Sequence, residues 1–446
     1  MFTLLQSRHS FFQSPRTLVR HMIVPMAVAL VLSLTIPSAL AQRYSVSTPK
    51  LNDKEAKSLW RVTSQAVNNA AAFQTDKSKI DEYFMKYYFP LMTQDDPKNL
   101  GELGERREDL VKWLREAKVP EAQEHLTGLT LKAERIISRG NFHPAVRYNA
   151  ALIVGLLDKE YATAPPVPLP EGTLALLELL EQNEFALKDK KVKVPASVKA
   201  AALVGLERHA RFGISAEYTD RVTKASLAAI ADTEPEEEVS KSVHHWMKCM
   251  AARVLVRQYA EGPTVEVQTS LTGLISDDKM GLEDRCCAAE LLEKINYAKA
   301  GGINGTAAVL ALGQLAQDVL KEEAKESAEF EQEALTQGPI NNRSLRRNNL
   351  DRGASEYPRC RLLNRLKCIA QGSNSLVDGL SDEAKQNLQK LVDSLKPTIS
   401  VVADKDSGNL HITEAVQELK TEIDALVKSW KPPKAKAEDG DADATG

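Results

Sequence analysis

The segment HPAVRYNAALIVGLL, residues 143–157, constrains the fold more than any other part of the sequence. Pro144 stands where a helix can begin, because the first turn does not need the N–H group that proline lacks. The small side chains of Ala150, Ala151 and Gly155 should let a second helix pack closely. One stripe of apolar residues recurs at helical spacing: Val146, Ala150, Ile153, Val154 and Leu157.

Weaker copies of this segment follow along the chain. AALVGL at 201–206 repeats ALIVGL at 151–156 with an offset of 50 residues. Ala251-Ala252 and Ala288-Ala289 match Ala150-Ala151 at offsets of 101 and 138 residues. Successive copies are therefore 50, 51 and 37 residues apart, which indicates a series of related helical units.

The spacing and the pattern of small and apolar residues resemble HEAT and armadillo-type repeats over roughly residues 119–300. In those families each unit is a helix pair, and the pairs stack into a superhelix. Such repeats often have a basic residue where Arg147, Lys248 and Arg285 stand, although the second copy has Ser197 there. The resemblance implies an α-solenoid and supplies no functional residues.

The predicted fold class is all-α, because 43% apolar but only 5% aromatic residues suit closely packed helices better than β-sandwiches. We expect HEAT-like repeats over 105–336, with an N-terminal helical cap at 42–104 and C-terminal helices at 358–430. A polar basic loop at 337–357 should connect the repeats to those helices. The tail at 431–446 has almost no apolar residue and should be disordered.

Within the N-terminal cap we expect helices at 54–72 and 77–92, followed by a loop at 94–104. The second of these helices is rich in aromatic residues, so it either seals the end of the repeats or forms a recognition surface. A proline-rich run at 164–170 predicts a rigid connector. No alternation typical of β-strands is evident anywhere in the chain.

Residues 1–41 have the pattern of an export signal. Three arginines and no acidic residue precede an apolar run at 23–36, and Ala39-Leu40-Ala41 fits the small-x-small cleavage pattern. An uncleaved membrane anchor is the alternative, because residues 22–41 are long enough to span a bilayer. We expect cleavage, and therefore a periplasmic or secreted protein.

Without residues 1–41 the chain has 55 basic and 61 acidic residues, a formal charge of −6, so we expect no nucleic-acid partner. The segment 343–367 departs from this balance with a local charge of +6. Its cations either pair with acidic residues of the chain, such as those at 321–333, or dock an acidic protein or another polyanion. They are Arg343, Arg346, Arg347, Arg352, Arg359, Arg361, Arg365 and Lys367.

Sequence signatures of catalysis are missing. H-E-x-x-H, G-x-S-x-G, the P-loop and the Rossmann glycine pattern do not occur. His245 and Cys249 lie one helical turn apart, but no second cluster completes a metal site. We therefore expect no metal, no cofactor and no enzymatic activity.

The five cysteines form no C-x-x-C motif. Cys286 and Cys287 are adjacent and should point about 100° apart on a helix, so they cannot normally pair with each other. Cys360 and Cys368 are about 12 Å apart along a helix, which is too far for a disulfide. A disulfide from either of them to Cys249, Cys286 or Cys287 remains open.

These patterns predict an exported helical-repeat scaffold or binding protein that engages another macromolecule, with a protein partner expected. A membrane-tethered organiser of the cell envelope is one alternative, if the N-terminal segment stays in place. An enzyme whose site is assembled from scattered residues is the other.

Overall fold

The computed structural model of the chain is mostly helical, which confirms the coarse all-α prediction. It divides into residues 1–44 and residues 45–446, and the description below concerns the second unit. The predicted export signal, loop residues 337–356 and tail 431–446 lie outside the described residues. Those described are 44–161, 163–187, 190–235, 239–299, 304–336, 357–376 and 380–430.

The N-terminal part of the chain is built from helices α1 to α6. Their bounds are α1 Asp53–Ala66, α2 Ala70–Tyr83, a π-helical turn Phe84–Tyr88, α3 Phe89–Leu91, α4 Pro97–Glu116, α5 Pro120–Arg139 and α6 Pro144–Gly155.

Two boundaries in this part differ from the prediction. The predicted helix 54–72 is split, because the Asn69 side chain accepts a hydrogen bond from the Ala72 N–H and starts a new helix. The predicted loop at 94–104 is wrong from Pro97 onward. Asp96 caps α4 through the Asn99 N–H, and this cap with the following proline outweighs two glycines in the helix.

The remaining helices alternate with short strands at first. The elements are β1 Asp158–Glu160, β2 Val167–Pro168, α7 Pro170–Glu181, β3 Glu184–Leu187, β4 Lys190–Lys193, α8 Ala196–Phe212, α9 Thr219–Ala231, α10 Lys241–Gln258, α11 Val265–Ser276, α12 Leu282–Leu291, 3-10 turns Leu292–Lys294 and Tyr297–Lys299, α13 Gly305–Thr336, α14 Tyr357–Leu376, α15 Asp382–Ala403 and α16 Asn409–Ser429.

The expectation of no strands is wrong at two places. β1 pairs with β2 and β3 pairs with β4, each pair antiparallel. Strands of two to four residues are too short to produce a visible alternation of polar and apolar residues. The proline-rich connector contributes Val167–Pro168 to the first of these pairs.

The helices that carry the alanine pairs are neighbours in space. α6 packs against α8, α8 against α10, α10 against α12, and α12 against α14. The intervening helices make a second series, in which α5 contacts α7, α7 contacts α9, α9 contacts α11, and α11 contacts α13. All four alanine pairs are buried: Ala150-Ala151, Ala201-Ala202, Ala251-Ala252 and Ala288-Ala289.

Helices α6 and α8 come closest where two equivalent glycines meet. A Cβ atom built on Gly155 would lie 2.6 Å from the Cα atom of Gly205. A Cβ atom on Gly205 would lie 2.7 Å from Cδ1 of Leu176 in α7 and 2.9 Å from the Cα atom of Gly155. The expected close packing of a second helix on residues 143–157 is therefore confirmed.

Helix α6 supplies side chains to two separate hydrophobic cores. Val146, Ala150 and Ile153 belong to a core that begins at Ala56 and includes the aromatic N-terminal helices. Ala151 and Val154 belong to a second core that extends to Trp430. Since opposite faces of α6 are both buried, the helix is apolar nearly all round.

Substitution of either central glycine by alanine should destabilise the fold. We expect Gly155→Ala and Gly205→Ala each to lower the free energy of unfolding by about 1–3 kcal/mol, because the added methyl has no space. Gly273→Ala in α11 is the matched control, because a Cβ atom there meets nothing within 4 Å. It should be neutral or stabilising by about 0.5–1 kcal/mol. Equal effects at all three positions in urea unfolding would contradict the close-packing argument.

Glu134 of α5 should make stability fall as pH rises. Its side chain is 1% exposed, its Oε1 atom has no hydrogen-bond partner, and burial raises its pKa to about 8. The unfolded carboxyl titrates at about 4.3, so the folded state holds a proton that the unfolded state loses above that pH. The resulting stability is complete below about pH 4 and is lost as pH rises through about 8.

Glu134→Gln should therefore stabilise the protein at alkaline pH more than at acidic pH, measured as the difference in urea midpoint between about pH 9 and pH 5. Glu124→Gln, an exposed change on the same helix, is the control. An identical pH profile for the two variants would show that Glu134 is not the titrating group.

Candidate binding surfaces

The basic segment 343–367 is only partly described. Helix α14 carries four of its cations: Arg359, Arg361, Arg365 and Lys367. The other four precede Tyr357 and lie outside the described residues: Arg343, Arg346, Arg347 and Arg352.

Arg365 lies in a buried cluster of ion pairs between α12, α13 and α14. The side chain is 3% exposed, and its Nη1 atom lies 2.8 Å from Oε1 of Glu323 and 2.9 Å from Oε1 of Glu322. Its Nη2 atom contacts Glu283 of α12. Arg361 shares the same acid, with its Nε atom 3.0 Å from Oε1 of Glu323.

The pKa shifts in this cluster follow from the pairing. Burial, the largest single effect, raises the pKa of Glu283. The hydrogen bond from Arg365, a backbone hydrogen bond and the charges of Arg365 and Arg361 together outweigh burial, so the pKa is lowered. The hydrogen bond to Glu323 raises the pKa of Arg361 further above its ordinary value. For these two arginines, pairing with acidic residues of the chain is therefore the observed arrangement. Three of those acids belong to the 321–333 stretch: Glu322, Glu323 and Glu326.

The other two described cations differ in accessibility. The guanidinium of Arg359 donates hydrogen bonds to the backbone carbonyls of Asp404, at 3.0 Å, and of Ser407, just beyond α15. Lys367 is exposed. The docking role of the segment as a whole stays a prediction.

A second surface is a cleft of about 720 Å³ formed by α5, the turn after it and the β3–β4 hairpin. We call it the α5 cleft. Among the described residues, those that line it are basic, apolar or uncharged polar, and none is acidic. They are Ser45, Gly128, Leu131, Lys132, Arg135, Ile136, Arg139, Gly140, Asn141, Phe142, Leu187, Lys190 and Val192.

The α5 cleft keeps an excess of positive charge. Arg135 and Arg139 share a single carboxylate, Glu178 of α7, with Nη2 of Arg135 at 2.9 Å from its Oε1. The guanidinium of Arg139 also lies 5.1 Å from the ring centroid of Phe185. Burial, with the neighbouring Arg135, lowers the pKa of Arg139 to about 10, so the guanidinium is still charged at neutral pH.

Exposed apolar side chains accompany these charges. Ile136 is 57% exposed and Leu187 is 38% exposed. This surface was not predicted from the sequence, although the spacing of three cations along α5 indicates it. Lys132, Arg135 and Arg139 are three, four and seven residues apart, which places them on one side of a helix.

The histidine and cysteine candidates do not come together as a metal site. Nδ1 of His245 lies 3.8 Å from Oδ2 of Asp284, and Cys249 donates a hydrogen bond to the backbone carbonyl of the same aspartate. Within the described ranges, no group of three or more His, Cys, Asp or Glu side chains is placed to hold a metal ion. All five cysteines are free thiols.

Comparison with known proteins identifies no family for this chain. No family model matches the chain, and no curated protein matches it. A crystal structure described as that of an engineered protein is 14% identical and covers 86% of this chain and 97% of its own, with a TM-score of 0.28. None of the helices in the described ranges combines the length and apolar character needed to cross a membrane.

Arg365→Ala should destabilise the protein strongly. Removal of the guanidinium leaves the buried Glu323 carboxylate with Arg361 as its remaining arginine, so we expect the free energy of unfolding to fall by about 1–3 kcal/mol. Lys367→Ala, two positions along the same helix and exposed, should change the free energy of unfolding by less than about 0.5 kcal/mol. Urea unfolding measures both. Similar losses for the two variants would mean that the cluster contributes nothing special to stability.

Proposed function

We propose that this chain is an exported helical-repeat protein of the HEAT or armadillo type, which binds another macromolecule and has no catalytic site of its own. The helix pairs from α5 to α13 would form the repeat array. The N-terminal helices would close one end, and α14 to α16 the other.

Equivalent arginines support the repeat assignment. Arg147 in α6 donates from Nε to the backbone carbonyl of Ser138, at 2.9 Å, in the last turn of α5. Arg285 in α12 donates from Nε to the carbonyl of Ile275, at 2.8 Å, in the last turn of α11. In both copies, the arginine at this position therefore donates a hydrogen bond to a carbonyl in the last turn of the preceding helix, where carbonyls have no partner within the helix.

The observation that carries the binding function is the α5 cleft. It combines four cations with exposed apolar side chains and contains no acid among its lining residues. Charge complementarity favours one occupant, an acidic segment of a protein partner that also carries apolar side chains. Arg135 and Arg139 suit carboxylates because a guanidinium donates two parallel hydrogen bonds.

Binding to the α5 cleft can be tested with a fluorescein-labelled peptide of glutamate and leucine residues. We expect salt-sensitive binding to the full chain by fluorescence anisotropy, weakened about tenfold or more by the Lys132→Glu and Lys190→Glu double change. Lys224→Glu, an exposed change on α9, should leave the affinity unchanged. Equal affinity for the double variant and the parent would reject the cleft as the site.

A second variant separates the two basic surfaces. Arg346→Glu with Arg347→Glu alters the segment 343–367 and leaves the α5 cleft intact. If only this variant fails to bind the peptide, the binding site is the segment 343–367 and not the α5 cleft. If both variants bind as the parent does, neither surface has the proposed role.

The export proposal rests on the pattern of residues 1–41. N-terminal sequencing of the protein recovered from its own cells distinguishes its two forms. A start at or near Gln42 supports a cleaved, soluble protein. An intact first segment in a membrane fraction supports the tethered alternative.

A further inference from the structure

Helices α10 and α12 pack against each other, and each carries a cysteine on the side that faces the other. Cys249 of α10 is 4% exposed. Its sulfur lies 3.4 Å from the carbonyl oxygen of Asp284, three residues before Cys287 on α12. This pair joins two consecutive helices of the series that carries the alanine pairs.

The two thiols have different surroundings. Cys287 is only partly buried, and Nη2 of Arg253 lies 3.4 Å from its sulfur. Cys286, Cys249 and Cys368 are buried, while Cys360 is exposed on α14. Among the five cysteines, Cys287 therefore combines access from solvent with a guanidinium and a second thiol beside it.

These contacts divide the roles of the pair. The hydrogen bond from Cys249, then the one from Arg253, lowers the pKa of Cys287 to about 6 despite burial. The hydrogen bond to Cys287, with burial, raises the pKa of Cys249. Other charged or titratable groups facing the pair are Asp284 and Glu290 of α12 and Cys368 of α14.

We propose that Cys287 and Cys249 form a reversible redox pair that exchanges with low-molecular-weight disulfides, with Cys287 as the attacking thiolate and Cys249 as the resolving thiol. The contact with Arg253 stabilises the thiolate, and the packing of α10 on α12 places Cys249 beside the helical turn that carries Cys287. The proposal does not depend on the binding function.

With oxidised glutathione as the reagent, the reaction has two steps. The Cys287 thiolate attacks one glutathione sulfur, a mixed disulfide forms, the glutathione disulfide breaks, and one glutathione leaves as a thiolate. Cys249 then loses its proton to solvent and attacks the Cys287 sulfur, which releases the second glutathione. The protein loses two hydrogen atoms, and one glutathione disulfide is reduced to two thiols.

The test uses the full chain, reduced and then treated with oxidised glutathione, followed by intact mass and peptide mapping. The parent should lose two hydrogen atoms through a link between residues 249 and 287. Cys249→Ser should stop at the mixed disulfide on Cys287, and Cys287→Ser should form no link. Cys286→Ala, which removes the neighbouring thiol, should react as the parent does.

The rate of alkylation by iodoacetamide is a second measurement. It reports the reactivity of each thiolate and does not depend on disulfide formation. The rate at Cys287 should rise with a midpoint near pH 6, below the value of about 8.5 for a free thiol such as N-acetylcysteine. Near neutral pH the thiolate fraction of Cys287 should therefore exceed that of the free thiol by more than about tenfold. Arg253→Met should move the Cys287 midpoint upward.

Three results would overturn the proposal. One is a link that excludes residue 249 or 287. Another is glutathione only on Cys360. The third is an alkylation midpoint for Cys287 that equals that of a free thiol, about 8.5. Circular dichroism of each variant separates loss of reactivity from loss of the fold.

Discussion

The contact between Gly155 and Gly205 determines how the centre of the chain is built. At this point α6 and α8 approach until the backbone of one lies against the backbone of the other, and Leu176 of α7 fills the remaining space. Because α6 also gives its opposite face to the N-terminal core, its position fixes two cores at once. A shift of this helix would therefore open a void on one side and a clash on the other.

Buried arginines and their partners fix how neighbouring helices are oriented within this apolar packing. Arg147 and Arg285 each bind the end of the preceding helix, and Arg365 joins three helices through their glutamates. Arg208 pairs with the buried Asp158, with both carboxylate oxygens at 2.8 Å from Nη2. Small residues allow helices to slide against one another, whereas a buried ion pair is satisfied in one register only.

The sequence predicted the helical class and the packing role of residues 143–157 because both depend on local periodicity and side-chain size. It misplaced α2 and α4, because single side-chain caps at Asn69 and Asp96 decide where those helices begin. The two short hairpins were missed because pairs such as Phe185 with Val192 gain their value from a partner across the sheet.

The net charge of a surface in the folded protein was the property that could least be predicted from the sequence. Helix α14 carries three arginines within seven residues, yet Arg361 and Arg365 are neutralised by glutamates that lie 35 to 82 residues away in the chain. The α5 cleft shows the opposite case, in which folding gathers positive charge. Lys190 is distant from Lys132 and Arg139 in the sequence and lies beside them only in the folded chain. A local count of charges cannot distinguish these cases, because the field at a surface depends on which acids are near in space.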